Sequence, residues 1–320
     1  MTPSTAPRIE VSALSKHFPG IFAVQDLSLS VGQGEIFGLV GPDGAGKTTV
    51  MRLLAGVMRP DRGDIVVDGI DVIADPERAK QHLSYMPQRF GLYEDLTVDE
   101  NIRFYSDLFE VPRRVRDERI GPLLAASNMA AFRKRLAGQL SGGMKQKLGL
   151  ICSLIHTPKV LLLDEPTTGV DPVSRRDFWS ILYDLRETGV TIVISTAYLD
   201  EAERCHRLAL LHQGRLRDCD TPAALKARMP GALVNIATAD PRAARDALRR
   251  MAGVTSTLLM GDGLHVAVDD AESRMPPMRE ALSQADVPFT SMAKTVPSIE
   301  DLFIALLDQG SGGGESEARP

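Results

Sequence analysis

Residues 41–49 form a glycine-rich loop that ends in a lysine and two threonines. They read G-P-D-G-A-G-K-T-T, which fits the pattern G-x-x-x-x-G-K-[ST]. Glycines let backbone N–H groups curl around phosphate oxygens, Lys47 brings a positive charge to the β- and γ-phosphates, and Thr48 offers a hydroxyl to Mg²⁺. The predicted phosphate-binding residues are Gly41, Asp43, Gly44, Ala45, Gly46, Lys47, Thr48 and Thr49.

A second candidate lies at the end of an apolar run, where residues 159–166 read K-V-L-L-L-D-E-P. Asp164, at the tip of a predicted strand, can hold the coordination shell of Mg²⁺. Glu165 comes one residue later and is placed to accept a proton from water that attacks a γ-phosphate. Together with Lys47, these residues predict a site that binds ATP and Mg²⁺ and hydrolyses the nucleotide.

These candidate residues follow short apolar runs that alternate with helical patterns. The runs 35–40, 160–163 and 190–195 are almost continuously apolar, and residues 173–188 have helical spacing. Buried parallel strands covered by helices on both faces have this pattern. Residues 8–40 suggest further short strands, and 64–68 another. Residues 77–155 are predicted to be mostly helical, with breaks at Pro87, Pro112 and Ser141.

The pattern changes after about residue 230. A strand, a helix, a hairpin, a helix, a strand and a final helix are predicted at 232–239, 241–252, 254–268, 275–285, 288–294 and 298–308. Up to the last strand, this is the order of a ferredoxin-like unit. The glycine- and serine-rich residues 309–320 are predicted to be a disordered tail.

Composition limits the class of partner and the compartment. The net charge of -5 and pI near 5.7 argue against a nucleic-acid partner. Three cysteines lack metal-binding spacing, which fits a reducing compartment. The first residues lack the apolar core of a signal peptide, and no apolar stretch approaches the roughly 20 residues that cross a bilayer. We therefore expect a cytosolic protein whose membrane role depends on a partner.

The order of further motifs resembles the nucleotide-binding domain of ATP-binding cassette (ABC) transporters. Residues 140–147, L-S-G-G-M-K-Q-K, resemble the family's signature, and 169–172, G-V-D-P, its D-loop. The resemblance implies an α/β fold: a RecA-like P-loop core with an antiparallel β subdomain (residues 8–230), a helical subdomain inserted at about 89–155, and a small α+β accessory domain at 231–308. The residues to which it gives a role are Phe18 stacking on adenine, Gln88 in the Q-loop as a catalytic and metal-contacting amide, Ser141, Gly142 and Gly143 in the signature, and Asp171 in the D-loop.

The resemblance also implies partners. In the family two such domains form a dimer, with ATP sandwiched between the phosphate loop of one and the signature of the other. Residues 297–304, P-S-I-E-D-L-F-I, are similar to the C-terminal extension of ABC-2-type exporter ATPases. From this resemblance we expect the chain to work with separate ABC-2-type membrane permease subunits and to lie peripherally on the cytoplasmic face of the inner membrane. The cargo stays open among drugs, lipids and polysaccharides.

Three residues depart from the family's pattern. Ala197, in S-T-A-Y-L-D-E, stands where the family has a histidine that contacts the γ-phosphate; Asp43 replaces asparagine and Met144 replaces glutamine. Losing one transition-state donor costs about 3 kcal/mol. We therefore expect Mg-ATP binding with impaired hydrolysis, and hypothesise pairing with a related chain whose site is complete. The alternatives are a slower homodimer, a non-hydrolysing regulatory subunit, and a soluble ABC ATPase that acts on DNA or ribosomes.

Overall fold

The computed structural model describes residues 6–261 and 263–311. Two compact units divide the chain: the first runs to Tyr198 and includes Cys205–Cys219, and the second combines Leu199–Arg204 with the chain from Asp220 onward. Apart from Leu199–Arg204, the second unit begins at Asp220, about ten residues before the domain boundary predicted at 230. No helix within the described residues is long and apolar enough to cross a membrane.

The secondary structure alternates between strands and helices along most of the chain. The strands are β1 (Ile9–Phe18), β2 (Ile21–Val31), β3 (Ile36–Val40), β4 (Arg62–Val67), β5 (Ile70–Asp71), β6 (Leu83–Met86), β7 (Val160–Asp164), β8 (Thr191–Thr196), β9 (Arg207–His212), β10 (Arg215–Asp220), β11 (Ala232–Ala237), β12 (Val254–Met260), β13 (Gly263–Val268) and β14 (Ser291–Thr295). The helices are α1 (Lys47–Leu54), α2 (Pro76–His82), α3 (Val98–Leu108), α4 (Arg113–Ala126), α5 (Gly142–Leu154), α6 (Pro172–Glu187), α7 (Leu199–Ala202), α8 (Pro222–Ala227), α9 (Pro241–Leu248), α10 (Ala271–Gln284) and α11 (Ile299–Ser311).

The central sheet of the first unit has the strand order β10-β9-β3-β8-β7-β6. From β9 to β6 all neighbours are parallel. Every residue of β3, β7 and β8 is buried, which explains their continuous apolar runs. Because β8 lies between β3 and β7, the chain segments that leave the carboxyl ends of these three strands meet at one edge of the sheet.

Helices make up most of the regular structure in residues 77–155, but strand β6 also lies there and was not predicted. Four residues, Leu83–Met86, pair in parallel with β7 along the edge of the central sheet. The run is too short to show a strand period within a long helical pattern, and pairing with a buried strand decides its conformation. Helices α3 and α4 and the start of α5 follow it and share one buried apolar cluster, which includes Ile102, Leu124 and Leu148; we call this part of the chain the helical subdomain.

A second sheet of the first unit has the order β2-β1-β4-β5, and its neighbours are antiparallel. Strands β1 and β2 have 10 and 11 residues, longer than the short strands predicted for residues 8–40. Register shifts interrupt their pairing, and such bulges hide the two-residue period in the sequence. The hairpin between them ends at Phe18 and Ile21.

The second unit contains an antiparallel sheet of order β12-β13-β11-β14. With α9 between β11 and β12, and α10 between β13 and β14, this is the ferredoxin-like order that the sequence predicted. Buried Leu248 and Met278 pack with Val234 and Val266 in the core of this unit. Helix α11 runs to Ser311, so residues 309–311 of the predicted tail are helical, while 312–320 lie outside the described residues.

Candidate nucleotide-binding and catalytic site

A cavity of about 470 Å³ opens beside the loop that joins β3 to α1. This volume is in the usual range of small-molecule sites. The cavity collects residues that lie far apart in the sequence. Of the predicted site residues, Phe18, the loop residues 43–49, Gln88 and Glu165 line it. Phe18 is 36% exposed and Ile21 64%, so the hairpin of β1 and β2 offers an apolar surface on which a planar base can stack.

Two glycines are required for the path of the loop. Gly46, the N-cap of α1, has φ +102°. A Cβ atom there would lie 2.3 Å from the carbonyl oxygen of Ala23. A Cβ atom at Gly41 would lie 2.2 Å from the carbonyl oxygen of Leu211. Only glycine fits these close approaches, and the resulting turn directs backbone N–H groups at the start of α1, where the helix dipole favours anions.

Lys47 lines the cavity, and its side chain is only 4% exposed. Its ammonium donates to the carbonyl oxygens of Gly41 at 2.9 Å and Pro42 at 3.1 Å. A Glu165 carboxylate oxygen lies 3.1 Å from the same nitrogen. These contacts hold the positive charge between the phosphate loop and the candidate base.

Asp164 ends β7 and is 1% exposed. Its Oδ1 accepts a hydrogen bond from Thr48 at 3.2 Å, and its Oδ2 one from the Tyr85 hydroxyl at 3.1 Å. Burial and the Asp164 charge raise the pKa of Tyr85 to about 12, so the phenol keeps the proton that it donates. Among the described residues no group of three His, Cys, Asp or Glu side chains could hold a metal ion. The atoms of Thr48 and Asp164 that could coordinate a metal ion are oxygens, however. One carboxylate and one hydroxyl, together with phosphates of the substrate, form a ligand set that suits Mg²⁺.

Glu165 adopts a left-handed backbone conformation, with φ +48°. Its Oε2 accepts from the Gln88 amide at 3.0 Å and from Thr168 at 3.4 Å. Gln88 therefore orients the candidate base in this structure, and its role as a metal contact stays a prediction.

The signature and D-loop residues lie outside the cavity, next to each other. Ser141 caps α5 by accepting from the Met144 amide at 3.3 Å, and a Cβ atom at Gly143 would lie 2.6 Å from the Cβ atom of Ser174. Asp171 caps α6 by accepting from the Val173 and Ser174 amides, and the Ser174 contacts hold the pKa of its carboxyl below the usual value. A Cβ atom at Gly142 would be 3.7 Å from the carbonyl of Gly169 in the D-loop.

The Met144 side chain packs against the apolar core of the helical subdomain. Methionine is well suited to such a position, because its flexible side chain fills irregular gaps between packed elements. The methionine that stands at position 144, where the resemblance implies glutamine, is therefore accommodated by apolar packing.

Ala197 follows the last residue of β8 and is exposed. The register pairs Thr196 with Val40 and Ser195 with Asp164, so Ala197 comes level with the start of the phosphate loop and just beyond Glu165. Its methyl group cannot form a hydrogen bond. None of the six histidines, all within the described residues, lines the cavity. The ring of His206 instead accepts a hydrogen bond from the Ile36 amide at 3.2 Å.

Sequence reasoning missed Tyr85 and Ser195, both of which contact Asp164. One signal for them was present in the sequence: each is a hydroxyl-bearing residue within a mostly apolar run. That signal points to Asp164 only when the order of strands in the sheet is known.

Comparisons with known proteins agree with this geometry. The family described as ABC transporter matches residues 24–168. Probable multidrug ABC transporter ATP-binding protein YbhF of Escherichia coli (strain K12) is 42% identical over 97% of this chain and 53% of that protein. The chain thus spans about half the length of this relative. Daunorubicin/doxorubicin resistance ATP-binding protein DrrA of Streptomyces peucetius is 33% identical over 93% of this chain and 92% of that protein.

A solved structure of an ATP-binding subunit of an ABC transporter is similar over 69% of this chain and 92% of that chain, with a TM-score of 0.63 and 29% identity. This chain belongs to the ABC transporter family. The resemblance and the fold class that the sequence predicted are therefore confirmed.

Proposed function

We propose that this chain is the ATP-binding and ATP-hydrolysing subunit of an exporter and that it drives separate membrane subunits. The convergence of Lys47, Thr48 and Glu165 on one cavity, with Asp164 hydrogen-bonded to Thr48, carries the proposal. The names of the relatives support a drug-like cargo. Closure of two such domains around ATP would move the membrane subunits, and hydrolysis would reset them.

We propose a role for each residue of the site. The loop amides and Lys47 bind the phosphates, and Phe18 stacks on the base. Thr48 and Asp164 would hold Mg²⁺, and the ion would neutralise charge on the β- and γ-phosphates. Glu165 accepts a proton from the attacking water, while the Gln88 amide, 3.0 Å from Oε2, holds its carboxylate in place.

We propose that Ala197 lowers the rate of ATP hydrolysis at this chain's own site. Ala197 has no side-chain donor just beyond the end of β8, so we expect the transition state to lose one preorganised contact there. Ser141 and Asp171 form a surface apart from the cavity, which supports their use at the nucleotide of a second ABC domain. We propose that the second domain belongs to a related chain with an intact site. A homodimer that works slowly is the competing arrangement.

Apolar side chains of the helical subdomain support contact with membrane subunits of the ABC-2 type. Leu108 is 62% exposed, Tyr93 48%, Phe104 38% and Phe109 37%. Such a cluster is more typical of an interaction surface than of a solvated helix face. This arrangement would hold the chain on the cytoplasmic face of the membrane. After cell fractionation we expect it with membranes when the permease is present and in the supernatant when it is absent.

Turnover of ATP by wild type and Ala197→His tests the hydrolytic part. We expect slow turnover by wild type and an increase of about 10²- to 10³-fold with histidine. Ala197→Leu, which adds bulk without a hydrogen-bonding group, should stay slow, and Ala197→His/Glu165→Gln should be inactive.

Fast turnover by wild type would contradict the impaired site. Tight ATP binding without turnover by either protein, even with the permease present, would favour a regulatory subunit that does not hydrolyse ATP. Recovery with nucleic acid or ribosomes instead of membranes would favour an ABC ATPase outside transport.

A further inference from the structure

The hydroxyl of Ser195 touches both acidic residues of the site. Ser195 lies in β8 and is 0% exposed. Its Oγ donates to Asp164 Oδ1 at 2.6 Å and accepts from the Glu165 backbone N–H at 3.0 Å. The Ser195 carbonyl oxygen accepts from the same N–H at 3.1 Å. The single proton of the hydroxyl is therefore directed at the carboxylate, and a lone pair is directed at the amide.

The first contact fixes the orientation of the Asp164 carboxylate. Ser195 binds Oδ1 from β8, on one side of β7, and Tyr85 binds Oδ2 from β6, on the other side. The Thr48 hydroxyl, a predicted metal ligand, shares Oδ1 with Ser195. A carboxylate with a hydrogen-bond donor on each oxygen cannot rotate freely, so its remaining lone pairs have fixed directions.

The second contact fixes the backbone that aims Glu165. A non-glycine residue with positive φ is strained, so surrounding contacts must hold it there. The Glu165 amide has two acceptors, both from Ser195, and these hold the turn in which φ is +48°. This turn directs the Glu165 carboxylate at Lys47 and Gln88.

We propose that Ser195 is a positioning residue that sets the metal-binding carboxylate and the general base relative to each other. The inference rests on the proposed function, because it assigns Asp164 to Mg²⁺ and Glu165 to the attacking water. Ser195 is fully buried and does not line the cavity, so it acts through Asp164 and Glu165.

Mg²⁺-dependent nucleotide binding tests this role without requiring turnover. The affinity of the full chain for N-methylanthraniloyl-ATP is measured by fluorescence in Mg²⁺ and again in EDTA. For Ser195→Ala we expect a loss of about 10- to 100-fold in the Mg²⁺ titration, as is typical when the partner of a metal ligand is removed. The affinity in EDTA should not change. Ser195→Thr, which keeps the hydroxyl, should restore most of the Mg²⁺ effect.

Tyr85→Phe is the matched variant, because it removes the other donor to Asp164 and leaves the Glu165 amide untouched. We expect it to weaken Mg²⁺-dependent binding as well. Ser195→Ala alone should also increase protease cleavage in the turn at Glu165. If the alanine variant does not fold, Ser195→Cys keeps the volume with a weaker donor and should show the same selective loss in Mg²⁺.

The results separate two failures. Equal Mg²⁺ dependence in wild type and a folded Ser195 variant would overturn the positioning role and leave the proposed function intact. Equal losses in Mg²⁺ and in EDTA would also overturn it, since they would indicate a general structural defect. A wild type that binds no nucleotide under either condition would overturn the proposed function, and the positioning role with it.

Discussion

Asp68 provides a stability prediction whose size follows from its contacts. It follows β4 in a left-handed turn, with φ +50°, and its side chain is 9% exposed. Its carboxylate accepts from Lys159 at 2.6 Å, from His82, and from Arg8. Burial alone would raise the pKa of Asp68, but the three hydrogen bonds outweigh it and lower the pKa to about 2.

The change tested is Asp68→Asn, since asparagine also tolerates positive φ and leaves the backbone unstrained. The difference between about 2 and the ordinary 3.8 corresponds to about 2.4 kcal/mol of folding free energy at neutral pH. Lys159 is 54% exposed, so solvent screens part of this value. We therefore expect the free energy of unfolding to fall by about 1–2 kcal/mol at pH 7.

The pH dependence has a definite sign. A carboxyl whose pKa is lowered by folding stabilises the folded state above its unfolded value, and the contribution is lost as pH falls from 3.8 toward 2. The difference between wild type and Asp68→Asn should therefore be constant at neutral pH and shrink in that acidic window. Urea unfolding can be followed by the fluorescence of Trp179, the single tryptophan, which is buried in the first unit.

A surface carboxylate serves as the control. Asp61 pairs with Lys16, but its side chain is 44% exposed, so Asp61→Asn should change stability little. The reasoning is refuted if Asp68→Asn unfolds at the same urea concentration as wild type at pH 7. It is also refuted if the difference between them persists unchanged below the unfolded pKa.

Further predictions concern the nucleotide site, helix α4 and the second unit. Glu165→Gln removes the charge 3.1 Å from Lys47, so fluorescence titration should show tighter ATP binding while turnover falls by at least about 10²-fold. Gly46→Ala should abolish ATP binding in the same titration, because its Cβ would meet backbone at 2.3 Å. Gly121→Ala, in open space within a helix, should instead raise thermal stability slightly. Asp301→Ala removes the carboxylate that accepts from Ser298, and hydrogen exchange in α11 should then accelerate.

The parts of the site whose residues are adjacent in the sequence could be predicted. Residues 41–49 hold a complete phosphate loop within nine positions, and Asp164 with Glu165 ends one strand. Tyr85 and Ser195 could not be assigned in the same way, because they reach Asp164 from two neighbouring strands. Their role depends on the order β8-β7-β6, which no local pattern encodes. Likewise, β6 exists because it pairs with β7, and its four residues alone do not specify a strand.

Because Ala197 lies outside the buried core, a substitution there should change turnover without changing stability. Strand β8 is held between β3 and β7 by residues up to Thr196, all of which are buried. Ala197 comes one residue later, is exposed, and contributes nothing to the buried core. Its replacement by histidine should therefore leave the free energy of unfolding within about 0.5 kcal/mol of wild type. A change in turnover of Ala197→His at equal stability would then measure the missing catalytic contact alone, whereas an accompanying loss of stability would mean that the strand end is more tightly packed than its exposure indicates.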